Sequence, residues 1–478
     1  MINNAMLMDF YEATMANSAI LNGRENTIAY FDMFFRRVPD NGGFAIMAGL
    51  QQLINELKSL SFTKSDIEFM RSQNLFDDKF LNYLENFKFT CDVWAVPEGT
   101  PIFPHEPIVT VRGPIIQLFL IETLVLLNIN HQSLIATKAN RIVRAAQGRA
   151  VMEFGARRAH GTDASVFGAR AAYIGGCVGT SCVKAGKDFN IPVSGTMAHS
   201  WIQLFDTEYD AFKSYAEVYK EKSLFLVDTY NTLKSGIPNV IKVAEEVLKP
   251  LGCRPLGIRI DSGDITYLSK RARKMLDDAG YPDYAICVSN SLDEYLIRDM
   301  LMQGAKVDFF VVGERLITAS SEAVFGGVYK LSGIEDESGN IIPKIKLSEN
   351  TSKITLPGFK QSWRLFDRES GKAIADVITL HDETIDDTKD YEIFDPEFTW
   401  KRKTVTDFIA RPLQVQLFKN GELTYKCPNA TAIRDYREQQ VESLWEEVQR
   451  FENPHRYYVD LSQKLWDLRR HLISKISI

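Results

Sequence analysis

LGIRIDSGDITYLSKRARKMLDDAGYPDYAICVSN, residues 256–290, is the stretch on which the fold turns. It opens on a short apolar run, 256–260, turns at Gly263, and then places Ile265, Leu268, Ala272, Met275 and Ala279 on one helical face. Gly280 and Pro282 end that helix, and a second apolar run, 285–289, follows. Ser291-x-x-Glu294 then predicts a capping box for a helix that carries Tyr295, Leu296, Met300 and Leu301 and stops at Gly304. Outward from here the same rhythm recurs, with strand candidates at 151–154, 173–176, 193–195, 224–228 and 309–312. Regular alternation of strand and helix implies parallel strands covered by helices. Seven units in one run favour a barrel, although periodicity by itself leaves an open sheet possible. In a β/α barrel the active site sits at the C-terminal ends of the strands, with a common phosphate site after the last two.

The flanks read differently. Up to about residue 115, short helices mix with strand-like runs: 27–35 is β-branched and aromatic, and 92–112 suggests a small antiparallel meander. Ser65-Asp66-Ile67-Glu68 predicts a capping box and a helix start. The most apolar run, 115–127, is interrupted by Gln117 and Glu122 and is too short to span a bilayer, so it predicts a buried helix. Beyond about 324 come strand-like pieces at 326–331, 341–347 and 353–356, a charged loop zone at 382–395, and a polar helical stretch at 434–449. The division expected is an N-terminal α+β domain (1–115), a β/α barrel catalytic domain (116–330) and a C-terminal segment (331–478) partly packed with the N-terminal domain.

Composition narrows the function. The 478 residues are 45% hydrophobic and 25% charged, ordinary for a globular chain. Lys plus Arg is 56 against 62 acids, a net charge of −6, so no global basic field would recruit nucleic acid and local groups must hold any anionic ligand. Met1-Ile2-Asn3-Asn4 has neither the basic leader nor the apolar core of a secretion signal. The six cysteines form no CxxC pair and no HExxH occurs, which argues against zinc. Sparse cysteines fit reduced thiols and a cytoplasmic location.

Polar residues gather where the predicted strands end. Arg259 and Asp261 flank the end of one apolar strand, where buried charge needs a partner or a ligand. Gly263 would let a phosphate approach free amides; an internal ion pair with an ordinary helix cap is the other reading. Asp228 ends another strand as cap or catalytic acid. Gly175-Gly176-Cys177-Val178-Gly179-Thr180-Ser181 is neither a GxGxxG nor a GxxxxGK[ST] motif, so it serves equally as a packing turn. His199 follows a strand end within GTMAHSW; imidazole there is a nucleophile toward phosphoryl groups, a general acid–base, or a turn cap. Glu153-Phe154-Gly155-Ala156-Arg157-Arg158 offers an aromatic face and two guanidinium forks suited to carboxylate or phosphate, or else a surface basic patch.

Taken in order, DFYEATM (9–15), FDMFFRRVPDNGGFAIMAGL (31–50), EFGARRAHG (153–161), GTMAHSW (195–201), VDTYNTLKSGIPN (227–239), RIDSGD (259–264), VSNSLDE (288–294), GGVYKLS (326–332) and KITLPG (353–358) resemble the nicotinate phosphoribosyltransferase family, within the type II phosphoribosyltransferases. The resemblance implies an α/β fold: an irregular β/α barrel with a second α+β domain built from N- and C-terminal segments, working as a homodimer with active sites at the subunit interface. It implies ATP-coupled synthesis of nicotinate mononucleotide from nicotinate and phosphoribosyl pyrophosphate for NAD, with Mg2+ on the phosphates. By position, His199 matches the histidine phosphorylated by ATP. Phe154 and Tyr11 match the aromatic pair around the pyridine ring, Tyr11 reaching across from a second subunit. Arg157 with Thr196 matches the carboxylate-binding groups, Arg259 and Asp261 those on pyrophosphate and ribose, and Gly263 with Gly313 the 5′-phosphate loops. Asp228 is implied to face the metal or His199.

Two positions carry further chemistry. Ser181 stands where the related nicotinamide enzyme has an aspartate; a carboxylate there would repel nicotinate, whereas a hydroxyl can donate to it. Many relatives read Gly-Thr where this chain has Gly313-Glu314, so the Glu314 carboxylate is expected to turn away and leave backbone amides to the phosphate. Rival readings are a nicotinamide phosphoribosyltransferase, a silent nucleotide-binding relative, and an unrelated phosphate-binding barrel lyase or isomerase.

Overall fold

Ile258 and Ile260 are fully buried on one side of the central strand of the 256–290 stretch, and Arg259 between them faces the other way. A strand apolar on its outer face and polar at its inner end is what a barrel wall requires. In the computed structural model, which describes residues 4–350 and 353–476, six parallel strands build that wall. They are β1 (Ala150–Glu153), β2 (Gly179–Thr180), β3 (Leu224–Leu226), β4 (Gly257–Ile260), β5 (Ala285–Val288) and β6 (Phe309–Val312). Their order is β2-β1-β6-β5-β4-β3. The last strand lies beside the first, Phe309 opposite Ala150 and Val312 opposite Glu153, which is how a barrel closes. Leu224, Cys287 and Val311 pack together on the interior with Met152, Phe154 and Phe309 at their edge.

The barrel is irregular, and two strand candidates account for it. Tyr173 ends a helix, Thr162–Ile174, because the alanine-rich run Ala169–Ala172 favours helix over strand. The strand at this place is the short β2 just beyond it. Val193 makes a single parallel bridge to Thr180 and no strand follows, so the ladder is interrupted between β2 and β3 among the described residues. The helix after β4 runs Ile265–Asp278 with Asp264 as its cap, accepting from the Tyr267 amide at 2.9 Å, and Gly280 follows with φ 84°. The helix after β5 starts at Glu294 with Asp293, rather than Ser291, as its cap. Ser291 sits at φ 41° and is turned to other use.

The described parts of Met1–Leu134 and Val324–Ile478 form one compact unit, and Ile135–Ala323 the other. In the former, segments from both chain ends share a seven-stranded sheet. Ile28–Phe34 is an interior strand of it, flanked by Val328–Glu335 on one side and Val109–Pro114 on the other, both antiparallel. The predicted meander is present as Asp92–Ala95 paired with Val109–Pro114. A four-stranded sheet of Phe408–Pro412, Lys360–Asp367, Ala373–Leu380 and Val459–Leu461 comes wholly from the C-terminal region. The 353–356 run forms no strand, and the first helical capping box is Thr63 with Asp66, two positions before the one expected. The 115–127 run is largely buried, with Leu127 exposed at its end, and it breaks at Ile121 into two helices, Ile115–Leu120 and Glu122–Ala145. Buried charge is paired: Lys360 with Asp32 at 2.7 Å, and Arg364 with Asp376 at 2.7 Å. Among the described residues no helix is long and apolar enough to cross a membrane. The leader reading at Met1-Ile2-Asn3 lies outside the described residues.

Candidate active site

In parallel register Leu226, Arg259 and Cys287 stand side by side on β3, β4 and β5, so Arg259 projects from the inner face near the strand ends. Each of its three nitrogens makes a hydrogen bond. Nε donates to Ser289 Oγ at 2.9 Å, Nη1 to Thr196 Oγ1 at 3.0 Å, and Nη2 to Asp261 Oδ1 at 2.7 Å. Ser289 Oγ donates to the same Asp261 oxygen. The bond to Thr196 spans the interrupted edge of the barrel, tying the 194–197 loop to β4. A guanidinium held at three corners has little freedom left to lose when an anion arrives.

His199 heads a five-residue helix, His199–Gln203, with its side chain 40% exposed. Nδ1 lies 3.1 Å from Thr229 Oγ1, and Nε2 is 3.9 Å from Asp261 Oδ2, too far for a hydrogen bond. One ring nitrogen is therefore anchored and the other is untied. Asp228 works from behind: its Oδ2 accepts from the Asp261 amide at 2.9 Å and from Ser262 Oγ at 2.6 Å, which fixes the turn after β4. Its Oδ1 is buried with no partner.

Residue Glu153, quoted above only as part of a motif, organises the opposite wall. It is fully buried at the end of β1, and burial pushes its carboxyl pKa up. One oxygen accepts from the Gly155 amide, and the other accepts from Thr180 Oγ1 at 2.6 Å. Thr180 Oγ1 in turn accepts from the Cys182 amide at 2.9 Å. This clamp sets Phe154 on one strand end and Ser181 on the next. The signal was an acid inside an apolar strand, VMEF, which demands internal partners. Gly155 is required here: a Cβ would lie 2.6 Å from Ile317 Cβ and 2.7 Å from Gly313 O.

These groups line one cavity of about 490 Å3 at the C-terminal ends of the strands. Phe154, Arg157, Ser181, Thr196, His199, Arg259, Asp261 and Gly313 are all on its wall. Arg157 is exposed and has no ion-pair partner among the described residues, and the Ser181 hydroxyl makes no hydrogen bond among them. Ser289, Asn290 and Ser291 were not foreseen, since a serine after a strand looks like any cap. Three expected site residues stand elsewhere. Asp228 and Gly263 are off the wall, Gly263 (φ 80°) shaping the turn beneath it. Tyr11 belongs to the other unit, on the helix Phe10–Leu21, and is 46% exposed. Glu314 is on the wall, where Ser291 Oγ donates to its Oε1 at 2.7 Å and Arg158 approaches its Oε2 at 4.0 Å. A local hydroxyl and guanidinium compensate the carboxylate where it is.

Comparison with known proteins fits this geometry. Residues 6–130, 149–325 and 359–469 match the family models for the nicotinate phosphoribosyltransferase (NAPRTase) N-terminal domain, the NAPRTase family and the C-terminal domain. A Bacillus subtilis nicotinate phosphoribosyltransferase is 43% identical over 468 residues, covering 98% of this chain and 95% of the relative. Nicotinate phosphoribosyltransferase pncB2 of Mycobacterium tuberculosis is 37% identical, covering 96% and 92%. The crystal structure of human nicotinic acid phosphoribosyltransferase superposes with a TM-score of 0.87 at 28% identity, covering 97% of this chain and 99% of that one. With three consecutive family models matched along its length and full-length relatives on each count, the chain belongs to the nicotinate phosphoribosyltransferase family.

Proposed function

We propose that this enzyme joins nicotinate to phosphoribosyl pyrophosphate, releasing nicotinate mononucleotide and pyrophosphate with coupled ATP hydrolysis, and so feeds NAD synthesis from salvaged nicotinate. The observation that carries it is the single cavity in which an aromatic face, carboxylate-binding groups and the Arg259–Asp261 pair converge beside an untied histidine nitrogen. As the bond from ribose C1 to pyrophosphate lengthens, the sugar gains oxocarbenium character and the leaving group gains negative charge. Arg259 meets that charge from a fixed position. Asp261 takes the ribose hydroxyls, Phe154 stacks the pyridine ring in line with C1, and Arg157 holds the carboxylate. No general base is assigned, because the ring nitrogen already carries its lone pair.

Among the described residues no cluster of three or more His, Cys, Asp or Glu could hold a metal. Mg2+ would therefore be carried by the substrate's own phosphates, where it would neutralise charge on the departing pyrophosphate; Asp228, with Oδ1 buried off the cavity wall, positions the turn after β4 instead. The active form proposed is a homodimer in the cytoplasm, in which the partner subunit's Tyr11 completes the ring sandwich; all six cysteines are free thiols.

Product analysis with nicotinate, nicotinamide or quinolinate, with phosphoribosyl pyrophosphate and Mg2+ and with or without ATP, tests the whole reading. Nicotinate mononucleotide formed faster with ATP is the expected result. Preference for the amide, or binding without pyrophosphate release, would overturn it. Tyr11→Ala is expected to raise the nicotinate KM several-fold, the loss of about 1 kcal/mol of stacking. An unaltered KM in steady-state assays would remove Tyr11 from the site. Ser181→Asp is expected to shift the nicotinate-to-nicotinamide ratio of kcat/KM toward the amide by about tenfold, because the new carboxylate repels one substrate and accepts from the other. A ratio that stays put would refute the role given to Ser181.

A further inference from the structure

The unit built from the two chain ends has a polar cavity of its own, about 460 Å3 in volume, that the proposed reaction does not use. Arg36 and Arg37 reach it from the end of the strand Ile28–Phe34, Arg456 and Arg469 from the C-terminal segment, and His105 from the loop before Val109–Pro114. Ile354, Leu356 and Leu461 form an apolar side. Glu397 is the acid on the wall, opposing Arg469, and the guanidinium groups of Arg36 and Arg456 reach the same cavity. Arg37 Nη1 donates to Asn41 Oδ1 at 3.4 Å. Arg36, Arg456 and Arg469 make no ion pair within 4 Å among the described residues, and the Nε atoms of Arg36 and Arg469 are buried without a hydrogen-bond partner.

Unpaired cations at such density cost stability unless something compensates them. The neighbouring groups do little. Burial, with Arg36, Arg469 and Arg456 around it, pushes His105 down to about 4, so the imidazole is neutral at physiological pH and adds no charge of its own. Asp460, which acts on Arg456, is pushed up to about 7 by burial and by Asp395, so it is an incomplete counter-charge near neutrality. His105 is also held at φ 71°, its amide bonded to Phe35 O at 2.8 Å, a left-handed position of the kind that collects at ligand clamps.

We propose that this cavity binds a small phosphate-bearing anion, with Arg36, Arg456 and Arg469 around the phosphate oxygens and the Ile354–Leu356 side against the body of the ligand. Its lining shares no residue with the barrel cavity, and the proposal stands whether or not the reaction above is the right one. The test is equilibrium dialysis of the full chain against radiolabelled inorganic phosphate, pyrophosphate and AMP, carried out in an Arg259→Met background that disables the barrel site. Retained saturable binding is expected. Adding Arg469→Met should weaken it about tenfold or more, the loss of a charge-assisted contact, and Arg469→Lys should restore part of it. Arg456 is exposed, so Arg456→Met gives the same test without disturbing buried packing. AMP bound more tightly than inorganic phosphate would identify an organic phosphate as the ligand; equal binding would identify the free anion. Absence of binding in the Arg259→Met protein, or binding indifferent to both Arg456→Met and Arg469→Met, overturns the proposal.

Discussion

His199→Ala is expected to abolish ATP hydrolysis by this enzyme while leaving a slow, ATP-independent transfer of the phosphoribosyl group. The asymmetry follows from the geometry. In the proposed cycle ATP reaches the pocket only to phosphorylate the imidazole, and the ring is arranged for that step: the tautomer with its proton on Nδ1 donates to Thr229 Oγ1 at 3.1 Å and leaves the Nε2 lone pair free. A side chain 40% exposed is open to an incoming nucleotide. None of the groups assigned to the sugar or the pyridine ring is bonded to His199. Arg259 keeps its contacts to Ser289, Thr196 and Asp261 when the imidazole is removed. Two measurements decide it. Incubation of the unmodified protein with labelled ATP should give an acid-labile, base-stable phosphate that His199→Ala lacks, and coupled assays should separate ADP release from nucleotide formation. ATPase unchanged in the variant would take the role away from His199. Complete loss of transfer as well would place the histidine in the chemistry of the sugar.

Much of this site is legible in the sequence, and the reasons are physical. Charge within an apolar strand is costly, so Arg259 and Asp261 announced themselves in GIRID, and both are on the cavity wall. The later strand–helix units were equally clear, because helices such as Ile265–Asp278 carry a long periodic face closed by glycine. Legibility failed where a segment was too short or too ambiguous for periodicity to speak. The two-residue β2 could not be distinguished from a glycine-rich turn, and the alanine-rich end of the preceding helix imitated a strand. The C-terminal four-stranded sheet went unread because its strands carry inward charges that only the fold pairs: Arg364 with Asp376 on the neighbouring strand, and Lys360 with Asp32 from far earlier in the chain. Glu314 shows the same limit at the site. Sequence alone suggested repulsion from phosphate, but the compensating hydroxyl of Ser291 comes from the preceding strand end.

Arg259→Met is expected to lower kcat for nicotinate mononucleotide formation by about 10²–10³-fold, the scale of losing one preorganised charge stabiliser. Methionine matches the arginine stem in length and can lie between Leu226 and Cys287, so the barrel wall should persist, which circular dichroism and thermal unfolding would verify. What changes is the charge. Asp261 Oδ1 would keep only its bond from Ser289, and the Thr196 loop would lose its tie across the interrupted edge of the barrel. A leaving pyrophosphate would then meet a carboxylate with no guanidinium beside it. The nicotinate KM should move far less, because the ring and its carboxylate are assigned to Phe154 and Arg157. Arg259→Lys separates charge from shape: a lysine retains the cation but cannot reach Ser289, Thr196 and Asp261 together, so only part of kcat should return. If lysine restored full activity, charge alone would suffice and the three-cornered anchoring would be irrelevant to catalysis. If methionine left kcat intact, Arg259 would be a structural member of the wall, and the leaving group would have to be stabilised by the remaining cations of the cavity, Arg157 and Arg158.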